Sequence, residues 1–148
     1  MLWTQRAFLV AAGAGAALSV GHYLVKVRSI TGQVPVHFNL FGVPDGTAAP
    51  WAFALYPIIS LGFTTAVVCA MFAPNSRTVL LPGSVEQVST NTSLLCGQVA
   101  VLACQYYAAR IAEGSADRVS LPVMYALYGI LAAASAAVLA TKSTVRSR

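Results

Sequence analysis

The sequence predicts an all-α integral membrane protein, a four-transmembrane-helix bundle with an ordered extended loop between its first two helices. Three observations carry that prediction. Only 9% of the 148 residues are charged and 57% are hydrophobic, against roughly a quarter charged in soluble domains, which excludes an ordinary water-soluble fold. Four apolar runs, 7–27, 51–73, 94–112 and 121–140, each approach the ~20 residues that cross a ~30 Å hydrocarbon core. Between the first two runs, residues 28–50 are polar and turn-rich. The remaining loops are too short for a soluble domain, so residues 1–148 read as one membrane domain.

The first run follows Arg6 and is rich in alanine, a composition shared with secretory signals, but the expectation is an uncleaved helix. Gly13, Ala17 and Gly21 recur at intervals of four, which places them on one helix face and permits close approach of another helix. Lys26 and Arg28 end this helix with stems long enough to reach headgroups. The second run opens at Pro50-Trp51, with proline suited to a first turn and tryptophan to the interface. Pro57 lies further in and should kink the helix or delay its start. Ala73-Pro74-Asn75 should close it.

Pro82-Gly83 marks a turn, and Ser84 with Gln87 fits a capping box, so the third helix is expected to start near Val85. Asn91-Thr92-Ser93 matches a glycosylation sequon but falls on the inner side and is discounted. Gln98 and Gln105 share a face that can hydrogen-bond across the bundle. The fourth helix opens at Ser120-Leu121-Pro122, and Gly129, Ala133 and Ala137 form a second packing stripe. Cys69, Cys96 and Cys104 lie inside spans without metal or disulfide spacing and read as small packing residues.

The net charge of +5 does not indicate nucleic acid, because the basic residues are scattered over helix ends rather than gathered in one patch. With four spans the termini share a side holding Arg6, Arg77, Lys142, Arg146 and Arg148, against Lys26, Arg28, Arg110 and Arg118 on the other. This balance and the basic tail favour termini inside, in a cytoplasm or matrix. The expected setting is a bacterial plasma membrane or mitochondrial inner membrane, with the polar loop facing outward. The expected partners are the lipid bilayer and other membrane protein subunits.

Within the loop, Val34, Val36, Phe38 and Leu40 alternate with Pro35, His37 and Asn39, the period of an extended strand. Lipid would leave an isolated strand's amides unpaired, so the segment must lie at the interface or under protein. Gly42 and Pro44-Asp45-Gly46 supply turn chemistry, and a turn is expected at Pro44-Asp45-Gly46. His37, Asn39 and Asp45 carry metal-binding and proton-transfer groups. Catalytic zinc normally takes three protein ligands, and the only other histidine is His22. No catalytic residue, metal ligand or cofactor is therefore assigned.

The pattern P-x-H-x-N-x-x-G-x-P-D-G, formed by Pro35, His37, Asn39, Gly42, Pro44, Asp45 and Gly46, resembles the hallmark of the SdpI-type immunity proteins and their shared domain of unknown function. The resemblance covers about residues 7–73, with Phe38 where the family usually has tryptophan. It implies a helix–loop–helix unit and binding rather than catalysis. The residues themselves lead to a non-catalytic accessory or structural subunit, docked into a larger membrane complex of the respiratory or other energy-transducing kind. An SdpI-like immunity or receptor protein that binds a toxin peptide is the alternative. A small transporter is disfavoured, because no ionisable residue lies at mid-span.

Overall fold

The computed structural model of the chain describes residues 3–72 and 85–146, with side chains at 88–136 in the second stretch. Its order is α1 (Trp3–Lys26), β1 (Val34–Phe38), β2 (Pro44–Ala48), a 3-10 turn (Pro50–Ala54), α2 (Leu55–Phe72), α3 (Val85–Ala112) and α4 (Leu121–Arg146). Three helical stretches are long and apolar enough to cross a membrane: Trp3–Lys26, Pro50–Phe72 and Val88–Ala112. In α4 the apolar stretch among the described residues is Leu121–Ala136. The Ala73-Pro74-Asn75 stop, the Pro82-Gly83 turn, the Ser84–Gln87 capping box and the Ala137 side chain lie outside the described residues.

Local chemistry sets the helix ends. Pro57 does delay α2: the chain first makes the 3-10 turn, and the α-helix begins at Leu55, so the missing proline N–H falls in a first turn where no donor is needed. Pro122 is likewise the second residue of α4. Gly114, at φ 72°, ends α3 in the left-handed region. Gly114 N–H donates to the Ile111 carbonyl and Ser115 N–H to the Arg110 carbonyl, at 2.9 and 2.8 Å, which is a Schellman closure.

Helix α3 is central, packing against α1, α2 and α4, whereas α4 packs mainly on α3. The α1–α3 seam is polar. Gln98 Nε2 donates to the Ala12 carbonyl at 3.0 Å, and Gln105 Nε2 donates to the Ser19 carbonyl at 2.9 Å while the Ser19 hydroxyl donates back to Gln105 Oε1. Each contact joins residues 86 apart, so the two helices run parallel with rungs at a seven-residue interval. Above these rungs, Lys26 Nζ lies 3.0 Å from both Glu113 carboxylate oxygens.

The packing glycines are not those of the expected stripes. A Cβ on Gly15 would stand 2.7 Å from Gln98 Cδ, and one on Gly97 would stand 2.6 Å from the Phe63 ring. Gly13, Ala17 and Gly21 face outward, while Ala12, Gly15, Ala16 and Ser19 form the inner face of α1. Gly129 and Ala133 are exposed as well, and Gly13, Gly21 and Gly129 have open space around them. The apolar core sits at one end of the helices, where Ile30, Val34, Phe53, Tyr56, Ala108 and Ala109 cluster beneath β1.

Candidate functional site: a motif hairpin above an apolar groove

The segment expected to be an extended loop is a two-stranded antiparallel hairpin, in which Val34 pairs with Ala48, Pro35 with Thr47, His37 with Gly46 and Phe38 with Pro44. This corrects the position of the turn. Pro44-Asp45-Gly46 is strand, and the chain reverses at Asn39–Gly42. The physical reason is that Asn39 and Gly42 together satisfy the turn's backbone. Gly42 N–H donates to the Asn39 carbonyl and Asn39 N–H to the Val43 carbonyl, both at 2.9 Å. Asn39 Oδ1 accepts from Phe41 N–H and Val43 N–H at 2.9 and 3.1 Å. With Gly42 at φ 73°, this follows the usual plan of a three-residue hairpin loop. The strict alternation expected for residues 34–40 is also broken, because the ladder slips between Pro35 and His37 and again between His37 and Phe38.

Every motif residue has a place in this hairpin. Pro35 is buried, and its carbonyl accepts from the Tyr56 hydroxyl at 2.6 Å, which ties β1 to α2. A Cβ at Gly42 would lie 2.6 Å from the Val119 carbonyl, and the Gly42 carbonyl accepts from Val119 N–H at 2.9 Å. Glycine is thus required there twice, for its conformation and for the close approach of the α3–α4 connection. Opposite His37, a Cβ on Gly46 would meet the histidine Cβ at 3.1 Å. His37 Nδ1 and Asp45 Oδ1 are 2.5 Å apart across the strands. Pro44 is tolerated because each strand of a two-stranded ribbon has a free edge.

The outer surface of the hairpin is chemically mixed. The side chains of His37 and Asp45 are 72% and 44% exposed, and Leu40 and Phe41 at the tip are 69% and 63% exposed. Trp51 is also exposed at the start of the next span. His22 packs against Phe53 and Tyr106 in the aromatic layer beneath, so the two histidines serve different surroundings. Among the described residues no group of three or more His, Cys, Asp or Glu side chains is arranged to hold a metal ion. At the edge of this end, the Ser29 hydroxyl and Lys26 hold the Glu113 carboxyl below the usual carboxylate range.

Under the hairpin lies a groove of about 330 Å³, lined by His37 and Phe38 of β1, Ile59 of α2, Val101 of α3, and Leu127 and Leu131 of α4. It fills the space between α2 and α4, which flank α3 with little direct contact. None of the helix residues that line it stands out in the sequence, because the groove depends on which helices fail to touch. The Asn39–Gly42 spacing is the signal that could have located the turn. Compared with protein-family models, curated proteins and solved structures, the chain matches none.

Proposed function

We propose that the protein is a non-catalytic, four-span membrane protein that serves as an accessory subunit of a larger membrane assembly. In this reading α4 is the fourth span, the termini lie inside, and the hairpin faces the periplasm or intermembrane space. The observation that carries it is the hairpin itself: every motif residue builds or pins it, and what it offers outward is the His37–Asp45 pair beside bare Leu40 and Phe41. That combination of a polar pair and apolar anchors suits a protein contact. The outward Gly13-Ala17-Gly21 face of α1 gives a neighbouring helix a second place to approach. Native gel analysis in mild detergent should find the chain in a large assembly, and exclusive migration as a free monomer would overturn the proposal.

The SdpI-like reading is favoured by the same exposed pair, since His37 and Asp45 belong to the resembling motif and are accessible to a peptide. Replacing both with alanine should then abolish tolerance of a toxin peptide while membrane insertion persists. Tolerance retained by that double variant would discard this alternative.

A further inference from the structure

The groove beneath the hairpin does not end at α4. A second cavity, of about 340 Å³, shares Ile59 with the first and continues along Gly62, Phe63, Ala66 and Leu94. Together they make an open apolar track along the helices. It runs from Tyr56 to Ala66 on α2 and from Cys104 to Leu94 on α3, ten residues in each case, or about 15 Å of helix. That is half of the ~30 Å hydrocarbon core, and the track starts at the polar hairpin, so its depth matches one leaflet.

We propose that this track holds one acyl chain of a bilayer phospholipid, which enters sideways between α2 and α4 with its headgroup beside His37. The inference rests on the reading that α2, α3 and α4 cross the bilayer. Its shape selects the occupant. Val36, His37 and Phe38 roof the track, so a partner helix that crosses the bilayer could not continue past the hairpin. A flexible chain can follow a track of this form. The track opens sideways between α2 and α4, toward the leaflet on this reading, which favours a lipid already there over a free amphiphile. An apolar void left empty beside lipid would forfeit dispersion contacts along both walls. At the upper end His37 uses Nδ1 for Asp45, which leaves Nε2 as a polar contact at headgroup level.

The test uses the full chain in phosphatidylcholine vesicles doped with a phosphatidylcholine that carries a diazirine on its acyl chain. Photolabel should concentrate on groove residues such as Val101 and Leu127 and saturate at one lipid per chain. Ile59→Trp places bulk where the two cavities meet, at a position already exposed. It should lower groove labelling about tenfold, while labelling of outward Leu18 and Leu24 persists. Ala100→Phe is a second plug, on α3. Equal labelling of groove and outward faces would overturn the proposal, as would plugs without effect. Competition by free diazirine palmitate would overturn the phospholipid as occupant. Release of the protein from vesicles by alkaline carbonate would remove the span reading and the groove with it, whereas retention without groove label removes the groove alone.

Discussion

Toward α1 and α2, helix α3 is held by buried glutamines: Gln98 reaches the Ala12 carbonyl of α1 and the Ser60 and Thr64 hydroxyls of α2, and Gln105 reaches the Ser19 carbonyl of α1. Between α2 and α4, the same helix presents Leu94, Val101 and Cys104 to an apolar track. The first flank closes because Gly15 lets Gln98 lie against the α1 backbone and each amide finds its acceptor. The gap between α2 and α4 stays open because α4 leans mainly on α3 and the hairpin, not a helix, spans it at its upper end. Hydrophobic character does not explain the contrast, since lipid competes equally for any apolar face. Polar rungs and small residues draw helices together in a bilayer; they join α3 to α1 and to α2, whereas among the described residues no hydrogen bond joins α2 to α4, and that gap is left to lipid.

The comparison can be broken first at the hairpin. Gly42→Ala forces a left-handed conformation on an L side chain, at a cost of about 1–3 kcal/mol, and its Cβ must also displace Val119. Detergent-titrated unfolding followed by circular dichroism should show the largest loss among the single substitutions considered. Next, Gly15→Leu overfills the closed seam and should cost about 1–3 kcal/mol, whereas Gly13→Leu, two residues away in open space, should alter chain stability by less than ~0.5 kcal/mol. Equal effects at the two glycines would mean that α1 packs with another face. Gln105→Leu removes one rung and should cost about 0.6–1.7 kcal/mol by the same unfolding assay.

The smallest effect is set by pH at the seam's upper end. Because the Ser29 hydroxyl and Lys26 lower the Glu113 carboxyl, its contribution is present above the ordinary carboxylate range and is lost as pH falls through its lowered folded value. Thermal unfolding should therefore show a modest loss of stability on acidification. Glu113→Gln should be less stable at neutral pH and should flatten the acid limb that this residue supplies.

Much of this architecture is legible in the sequence. The helices and the three clear spans follow from apolar length, and the delayed α2 start follows from Pro57. The shared face of Gln98 and Gln105 is legible as well. Facing is less so. An interval of four places Gly13, Ala17 and Gly21 together but says nothing of which side meets α3, and the decisive glycines, Gly15 and Gly97, are single contacts without a repeat. In the motif, Pro44-Asp45-Gly46 carries strong turn chemistry, yet Asn39 and Gly42 satisfy a turn earlier and leave those residues to pair with β1. Local propensity located a reversal in the right segment, and the hydrogen bonds made by one asparagine side chain decided where it falls.

Site-specific photocrosslinking in native membranes, with a benzophenone amino acid at Phe41 on the hairpin tip, tests the proposed docking role most directly. The account predicts a discrete protein adduct of defined mass, formed with a component that co-migrates with the chain in native gels and lost when His37 and Asp45 are both replaced by alanine. Adducts to lipid alone, or a protein adduct indifferent to that double substitution, would contradict it.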